Sequence, residues 1–271
     1  MNKKIISYNV AAWRWRISDE KYEDRLRRSC RFIKQSAPQA FLIGLQEIIV
    51  GDKYLNLLKE EFPSYKIVFP KTYDLKKNRR AAISILMIYS EGVESYSLGE
   101  LKGLEDSARY NYVTINANFG CYRVLNVNIP QTAFFNNNAA LWYRESRKKL
   151  REMFKTVILE EAETYRSEKD INFILLGDTN SSPQDSFILS LANNYQQPMM
   201  ETLRMNEKNK ITWKNSQLKS EGCIDHIFYS MGMMESDALK IYYTDVLEQT
   251  IQDKMSDHAC IRGSFDTYIE I

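Results

Sequence analysis

Side chains that carry oxygen ligands or an imidazole recur in this chain where apolar runs begin or end. They are Asn9, Glu47, Asn128, Asp178, Asn180, Asp225, Asp257 and His258. Asp178 follows the run from Asn172 to Leu176, and His258 precedes the run from Ala259 to Phe265. Strands that are apolar throughout are buried on both faces, so polar residues at their ends gather along one rim of the sheet. The sequence therefore predicts a polar rim built from residues far apart in the chain.

Carboxylate and amide oxygens dominate this set. Hard oxygen ligands with no cysteine or paired histidine nearby favour Mg²⁺ or Mn²⁺ over zinc, and such sites usually serve phosphate chemistry. The four cysteines, Cys30, Cys121, Cys223 and Cys260, lie far apart without a Cys-x-x-Cys pair, which indicates reduced core thiols. We therefore expect a divalent-metal site at the rim, with Mg²⁺ as the first candidate and Mn²⁺ as the second.

Apolar periodicity predicts the elements that must position the rim. The predicted strands are Ile5–Val10, Ala40–Gln46, Tyr65–Phe69, Ala82–Met87, Tyr112–Asn118, Tyr122–Val127, Ile171–Leu176, Ile211–Trp213, Cys223–Tyr229, Lys240–Tyr243 and Cys260–Phe265. The predicted helices are Glu20–Lys34, Lys53–Glu61, Ala139–Tyr165 and Asp185–Ala192. Asn118-Phe119-Gly120 predicts a hairpin connection. We expect an α/β fold (α+β by some schemes), a four-layer sandwich with helices flanking two packed, mostly antiparallel β-sheets.

Length and charge limit the classes of protein. A chain of 271 residues can bury a large core, and no linker, repeat or low-complexity tract interrupts it, so we expect one domain over residues 1–271. The 37 basic and 35 acidic side chains leave a formal charge of +2, so any nucleic-acid contact must be local. No stretch approaches the roughly 20 apolar residues of a membrane span, and the N-terminus lacks a signal-peptide pattern. We expect a cytoplasmic protein without membrane contact, and infer no obligate protein partner.

Six short segments carry the polar residues in a characteristic order. They are Ser7-Tyr8-Asn9, Gly44-Leu45-Gln46-Glu47, Val124-Leu125-Asn126-Val127-Asn128, Leu176-Gly177-Asp178-Thr179-Asn180, Cys223-Ile224-Asp225-His226-Ile227-Phe228 and Ser256-Asp257-His258-Ala259. Their order resembles the endonuclease/exonuclease/phosphatase superfamily, metal-dependent phosphoesterases that include pancreatic-type deoxyribonuclease and the apurinic-site endonucleases. One such match is weak. Six in the family's order, over nearly the whole chain, are a strong resemblance.

The resemblance implies hydrolysis of a phosphate ester by in-line attack of water. It implies that Glu47 holds the divalent ion directly, while Asn9 and Asp257 complete its oxygen shell or orient its waters. The ion would act as a Lewis acid on the phosphate and the departing oxygen.

The remaining family positions imply catalytic roles. Asp178 would align or deprotonate the attacking water, and Asn180 would hold the phosphate or that water by its amide. His258, oriented by Asp225, would donate to a non-bridging phosphate oxygen or exchange a proton with it. His226, the other histidine, is interpreted as structural.

Asn128 departs from the family pattern. Deoxyribonuclease-like members carry a histidine at this position and the apurinic-site enzymes a tyrosine, and either can pass a proton. Asparagine cannot titrate, although its amide can donate to the phosphate. Loss of one general acid lowers the rate about 10²- to 10⁴-fold, which implies a slower enzyme or an easier leaving group, unless Asn128 is not the aligned residue. Ile48 follows Glu47 where apurinic-site enzymes often carry a lysine, which weakens a repair assignment.

Two basic segments are candidate substrate contacts. Trp13, Arg14, Trp15 and Arg16 alternate aromatic and guanidinium groups near the expected rim, a pattern that suits stacking on bases and gripping phosphates. The alternative is that the tryptophans cover the edge of the core. Arg79 and Arg80, with Lys76 and Lys77, lie where family members often place a substrate-contacting loop, and the alternative is a solvated face.

These observations predict a Mg²⁺-dependent phosphodiester hydrolase, an endonuclease or exonuclease with DNA as the favoured substrate. Two alternatives stay open. Other family members hydrolyse small or lipid-derived phosphate esters, and a near-neutral charge fits such a substrate equally well. A non-catalytic module that binds nucleic acid or protein is supported only by Asn128. The ligand types suit one ion or two.

Overall fold

The computed structural model describes residues 2–11, 19–71, 73, 82–105, 107–131, 141–166, 171–193, 195–196, 211–215, 220–230 and 243–266. In this part of the chain the strands are β1 (Asn2–Asn9), β2 (Leu42–Ile49), β3 (Tyr65–Val68), β4 (Ala82–Tyr89), β5 (Val93–Leu98), β6 (Tyr110–Ala117), β7 (Gly120–Asn128), β8 (Ile171–Asp178), β9 (Tyr195–Gln196), β10 (Trp213–Asn215), β11 (Ser220–Gly222), β12 (Asp225–Ser230) and β13 (Ile261–Asp266). The helices are α1 (Asp19–Ser36), α2 (Asp52–Glu61), α3 (Leu141–Arg166), α4 (Ser186–Ala192) and α5 (Tyr243–Gln252). None of these helices is long and apolar enough to cross a bilayer.

Two β-sheets contain most of the strands. Sheet I has five strands in the order β13-β1-β2-β4-β3, and sheet II has six in the order β5-β6-β7-β8-β12-β9. Strands β1 and β2 are parallel, as are β7 and β8, whereas the other neighbours within the two sheets pair antiparallel. The prediction of mostly antiparallel sheets is therefore confirmed.

Three apolar clusters separate four layers. The first packs α1 and α2 on the outer face of sheet I, for example Leu26 against the strand residue Ile43. The second lies between the two sheets, and the third packs α3 and α4 on the outer face of sheet II, for example Phe154 near Leu175. The order of layers is helices, sheet I, sheet II, helices. The predicted four-layer sandwich is confirmed.

Strand direction brings the polar residues to one rim. The parallel pairs end together: β1 ends at Asn9 beside Gln46 of β2, and Asn128 at the end of β7 pairs with Asp178 at the end of β8. Strand β12 runs the other way, so it begins at this rim, with Asp225 opposite Asp178. Residues distant in sequence therefore converge because the topology fixes where each strand starts or stops.

Close approach of neighbouring strands and sheets depends on two glycines. A Cβ on Gly44 would lie 2.1 Å from Leu176 Cδ1, so its absence lets the two sheets approach. Gly177 has φ +139°, and a Cβ there would lie 2.0 Å from the Val127 carbonyl oxygen. Since other residues rarely adopt this φ, glycine is required just before Asp178.

Some elements were not predicted. Strands β5, β9 and β11 and helix α5 lie where the sequence pattern indicated no such element. The predicted strand Lys240–Tyr243 overlaps the described residues only at Tyr243, which begins α5, so it is wrong at that residue. Valine, leucine and isoleucine follow within α5, and a short apolar run does not by itself distinguish a strand from a helix.

Candidate active site

Asp178 lies at the centre of the rim. It is the last residue of β8 and is buried. Asn9 donates its side-chain amide to Asp178 Oδ2 at 2.9 Å, and the backbone N–H of Asn180 donates to Oδ1 at 2.9 Å. Asn180 adopts φ +49°, which turns the chain so that its own N–H faces the preceding carboxylate. Two donors therefore fix the carboxylate plane.

The surroundings of Asp178 favour its protonated form. Burial is the largest influence, and together with the negative charges of Asp225 and Glu47 it raises the pKa of Asp178 to about 7, although His258 acts in the opposite direction. A carboxylate with a pKa near neutrality can accept a proton from water more effectively than an ordinary aspartate. Perturbed pKa values of this kind cluster at functional sites.

Asp225 and His258 form a buried ion pair beside Asp178. His258 Nδ1 lies 3.1 Å from Asp225 Oδ1 and 3.0 Å from Oδ2, so Nδ1–H donates to the carboxylate. Burial opposes a charged imidazole, but the carboxylates of Asp225, Asp178 and Glu47 outweigh it and raise the pKa of His258 to about 9. The imidazole is therefore positively charged at neutral pH. The resemblance implies that Asp225 orients His258, and the two side chains make a contact that would allow this role.

Glu47 reaches the rim because β2 is irregular there. The register between β2 and β4 shifts between Leu45 and Ile48, and Glu47 itself has φ +51°. A bulge of this kind re-aims one side chain relative to the regular alternation of the strand. Asn128 Nδ2 donates to Glu47 Oε1 at 3.2 Å, which ties this carboxylate to the end of β7 in the other sheet.

Arg109 was not among the predicted site residues. Its guanidinium donates to the side-chain oxygen of Asn128 at 3.1 Å, and Asn128 returns a backbone N–H bond to the Arg109 carbonyl oxygen at 2.8 Å. Burial, together with the positive charge of Arg147, lowers the pKa of Arg109, while Glu47 and Asp178 oppose that change. A permanently charged guanidinium therefore lies beside the rim carboxylates.

Asp257 lies in the segment that joins Asn9 to His258. Ser256 Oγ donates to the backbone carbonyl oxygen of Asn9 at 2.6 Å and accepts from the backbone N–H of His258 at 3.1 Å. Asp257 is buried, and its Oδ2 accepts from Trp213 Nε1 at 2.9 Å. These hydrogen bonds join the C-terminal end of β1 to the segment before β13. Asn9 and Asp257 therefore lie on the same rim.

Arg151 on α3 is a second residue that the sequence patterns did not identify. Its buried guanidinium donates to the carbonyl oxygens of Pro130 at 3.1 Å and Asn180 at 2.7 Å, and to Ser181 Oγ at 2.8 Å. Asn180 in turn donates its side-chain amide to the carbonyl oxygen of Ile129 at 2.8 Å. The helix therefore clamps the segments that follow β7 and β8.

The other predicted residues fall into two groups. His226 is buried with Nε2 2.9 Å from the Ser181 carbonyl oxygen, and burial lowers its pKa, in keeping with the structural role expected for it. The candidate substrate contacts lie outside the described residues, so they stay predictions. They are Trp13, Arg14, Trp15, Arg16, Lys76, Lys77, Arg79 and Arg80.

The donor set suits a divalent cation. Ligand atoms of Asp178, Asp225 and His258 lie within 4.8 Å of one another, a spacing at which a metal ion could be held. In this cluster Nδ1 of His258 already donates to Asp225. Glu47 adds a half-buried carboxylate near the same charges, because it raises the pKa of both Asp178 and His258. Oxygen atoms predominate, as Mg²⁺ and Mn²⁺ prefer.

The fold is similar to that of several solved structures along almost its whole length. D. rerio TDP2 complexed with single-strand DNA product shares 18% identity with a TM-score of 0.64, and the match covers 98% of this chain and 99% of that one. The 3′ phosphatase NExo from Neisseria, bound to a product DNA hairpin, shares 14% identity over 98% and 100% of the chains, with a TM-score of 0.64. The human Nocturnin catalytic domain with a bound sulfate anion shares 16% over 98% and 95%, with a TM-score of 0.59.

No protein-family model and no curated protein matches the sequence. The structural neighbours are members of the endonuclease/exonuclease/phosphatase superfamily, and this chain has their fold. The resemblance drawn from six short segments is therefore confirmed at the level of the fold.

Proposed function

We propose that this protein is a divalent-metal-dependent phosphodiester hydrolase that acts on nucleic acid, with DNA favoured, by in-line attack of an activated water. The observation that carries the proposal is the convergence on one rim of Asp178, held by Asn9, with the buried Asp225–His258 pair. Burying three ionisable groups together is unfavourable unless they are paired, and such clusters mark functional sites.

Asp178 is the proposed general base. Its pKa of about 7 lets it accept a proton from water at neutral pH. The donors from Asn9 and Asn180 hold the carboxylate in one orientation, so the water that it binds has a defined position. The side-chain amide of Asn180, which is proposed to hold the phosphate or this water, donates to the Ile129 carbonyl oxygen at 2.8 Å, and this bond fixes its orientation.

His258 is proposed to stabilise charge on the phosphate. The imidazole is cationic at neutral pH because its pKa is raised to about 9 by neighbouring carboxylates, despite burial. Asp225 binds Nδ1, so the N–H at Nε2 is the one left to donate to a non-bridging phosphate oxygen. A preorganised donor of this type stabilises the transition state more than the ground state because negative charge grows on that oxygen.

Glu47, Asn9 and Asp257 are the proposed metal ligands and ligand-orienting residues, with Mg²⁺ as the favoured ion. When bound, the ion supplies Lewis-acid stabilisation of the phosphate and the leaving oxygen. Asn9 has a second task, since its amide donates to Asp178 and its side-chain oxygen accepts from the Ala11 N–H. It therefore couples the proposed metal shell to the proposed base.

Asn128 does not supply a proton in this proposal. It orients Glu47 through its amide and holds Arg109 through its oxygen. The guanidinium of Arg109 places positive charge beside Asn128, and it would stabilise a charged leaving oxygen without donating a proton. This arrangement favours substrates whose leaving group does not need strong protonation.

The nucleic-acid substrate is supported by two neighbours of this fold, one complexed with single-strand DNA product and one bound to a product DNA hairpin. A small or lipid-derived phosphate ester is the alternative substrate, and a net charge of +2 suits it as well. A cytoplasmic location and the lack of an obligate protein partner stay predictions.

The test is metal-dependent cleavage by the purified protein with Mg²⁺, Mn²⁺ or EDTA. The substrates are supercoiled plasmid, an abasic duplex, single-stranded DNA and a chromogenic phosphodiester. Asp178→Asn should abolish turnover, whereas Asp253→Asn, at an exposed aspartate, should not. DNA cleavage that requires metal and Asp178 supports the proposal. Turnover of the chromogenic ester alone supports a small substrate. If none of the substrates is turned over, the hydrolase proposal is contradicted.

A further inference from the structure

Helix α3 exposes an unusual share of large apolar side chains next to the site. Among the described residues the exposed large hydrophobics are Tyr96, Leu98, Leu141, Trp142, Tyr143, Met153, Leu189 and Ile251. Four of these eight belong to α3, where Trp142 is 70% exposed. An exposed aromatic cluster on one helix is more informative than scattered exposed residues, because such patches mark interaction surfaces.

The aromatic residues of α3 lie beside arginines. Trp142 and Tyr143 meet edge to face with ring centroids 5.8 Å apart, and the Arg147 guanidinium lies 6.0 Å from the Tyr143 ring. Tyr143, Arg147 and Leu150 recur at intervals of four and three residues, so they share one face of the helix. This face leads from the aromatic pair toward the active site.

A groove begins where that face meets the loop before β6. Its volume is about 460 Å³, within the range of ligand sites. The lining includes the apolar side chains of Leu104, Ala108, Leu150 and Met153 and the charged side chains of Glu105 and Arg109. Arg109 is the link to the chemistry, because the same side chain lines the groove and donates to Asn128 at 3.1 Å. Arg109 therefore connects the groove to Asn128, which in turn donates to the rim carboxylate of Glu47.

The groove lining carries one acidic and one basic side chain, Glu105 and Arg109, and the guanidinium of Arg147 adds a second positive charge near Arg109. Arg147 is close enough to Arg109 for its positive charge to lower the pKa of Arg109 further than burial alone does. A phosphate near these two guanidiniums would remove that repulsion. An anionic phosphate attached to a flat apolar group would match both the guanidiniums and the lining of leucine, alanine and methionine.

We propose that Trp142, Tyr143 and Arg147 of α3, with the adjoining groove, bind single-stranded nucleic acid, placing an unstacked base in the groove and its phosphate at Arg109. A duplex does not fit this description, because its bases are stacked and their faces are inaccessible. Single strands are commonly bound by aromatic platforms next to basic residues, since every base has a face on which to stack. This inference rests on the proposed hydrolase and names the form of its substrate.

The chain offers a closely matched control for the contribution of Tyr143 to the proposed binding surface. Tyr143 and Tyr96 are 38% and 39% exposed, and each has a cation over its ring, Arg147 at 6.0 Å and Lys66 at 5.7 Å. Tyr96 lies on β5, the edge strand of sheet II. Tyr143→Ala and Tyr96→Ala therefore remove the same group from similar surroundings at different places.

Binding is measured by fluorescence anisotropy with labelled oligomers of about 12 nucleotides, a length within the usual single-strand site sizes. The protein carries Asp178→Asn to prevent cleavage. We expect Tyr143→Ala to weaken binding of single-stranded DNA about tenfold, in line with the loss of one stacked base, and Tyr96→Ala to leave it unchanged. The matching RNA strand and a blunt duplex are compared, and the duplex should bind more weakly than either strand.

The proposed contact between Arg147 and a phosphate is tested by the salt dependence of binding. Arg147→Gln should lower the slope of log K against log salt by about 0.7, the contribution of one phosphate on a single strand. Lys148→Gln, at the next and more exposed residue of the same helix, is the control and should leave the slope unchanged.

The outcomes separate this inference from the proposed function. Equal effects of the two tyrosine variants, or tighter binding of the duplex, would overturn the single-strand surface. If the unmutated protein hydrolyses the chromogenic diester in that case, the hydrolase proposal stands. If it hydrolyses nothing while Tyr143→Ala still weakens strand binding, the binding surface stands and the hydrolase proposal fails.

Discussion

Asn128 of sheet II donates its side-chain amide to Glu47 of sheet I at 3.2 Å, which joins the two sheets at the active-site rim. Arg109 donates to the side-chain oxygen of the same asparagine at 3.1 Å, so the amide nitrogen and oxygen each have a defined partner. A residue that cannot titrate thus fixes both a carboxylate and a guanidinium. Its value to the site lies in orientation rather than proton transfer.

Asn128→Ala should weaken metal binding. Without its donor the Glu47 carboxylate is free to rotate, and loss of a residue that orients a ligand typically lowers metal affinity about 10- to 100-fold. The Mn²⁺ dissociation constant, measured by electron paramagnetic resonance, should rise by that factor. Asn116→Ala is the control, because Asn116 is an exposed asparagine that donates to Ser95 on the edge of sheet II. Equal Mn²⁺ affinity in both variants would contradict the role given to Asn128.

Asp225→Asn should lower the pKa of His258. Burial persists in the variant, while the carboxylate that lies 3.0 Å from Nδ1 loses its charge. The pKa should therefore fall from about 9 toward or below the ordinary value of 6.5. The chain has two histidines, so NMR titration must follow the assigned signal of His258 separately from that of His226, whose pKa Asp225 also raises. A pKa that stays near 9 would mean that other charges hold the imidazole.

Some strands of this fold could be predicted from the sequence, and others could not. Long apolar runs such as those of β4 and β8 were found because they are buried on both faces, and apolar content alone identifies them. Strand β5 was missed because it is an edge strand whose residues are mostly exposed, so it carries little apolar pattern. Strands β9 and β11, of two and three residues, form through pairing with neighbours rather than through their own composition.

The two unpredicted arginines differ in whether the sequence could reveal them. The turn Asn118-Phe119 pairs Ala117 with Gly120, and extending this register along the hairpin beyond Tyr110↔Val127 brings Arg109 opposite Asn128. Arg109 was therefore predictable only from the correct two-residue turn, because the predicted three-residue connection Asn118-Phe119-Gly120 places Tyr110 opposite Asn128. Arg151 binds backbone carbonyl oxygens from distant segments, and any residue could supply a carbonyl, so no local pattern marks it.

The stability contributed by His258 should decrease at alkaline pH. Its folded pKa of about 9 lies above the ordinary value of 6.5, so the folded state binds the proton more tightly than the unfolded state. The contribution is complete below about pH 6.5 and is lost as pH rises through 9, with a size on the order of 3 kcal/mol. Urea unfolding of the metal-free protein and His258→Gln should therefore show a stability difference that shrinks over this interval. A difference independent of pH would contradict the charged imidazole.

Arg151 is expected to act as a positioning residue for Asn180. The guanidinium donates to the Asn180 carbonyl oxygen at 2.7 Å and to Pro130 and Ser181, so it fixes the segment after Asp178. Its positive charge also interacts with the negative charge of Asp178. Arg151→Met should reduce kcat on the chromogenic diester about 100-fold with little change in KM, because misplacement of a catalytic group acts mainly on the transition state. Arg151→Lys should restore part of kcat, since an ammonium can still donate to some of these acceptors.

Lys155 provides the matched comparison for Arg151. It lies one helical turn further along α3, is similarly buried, and also pairs with Asp185, at 2.8 Å compared with 3.8 Å for Arg151. Lys155→Met therefore removes a buried cation and an Asp185 partner from the same helix while leaving the Asn180 contact in place. Removal of either cation should lower the free energy of unfolding, by about 1 to 3 kcal/mol, because buried acceptors lose their donors. Only Arg151→Met should lower kcat strongly. Equal losses of kcat in the two variants would mean that α3 stabilises the fold without positioning Asn180.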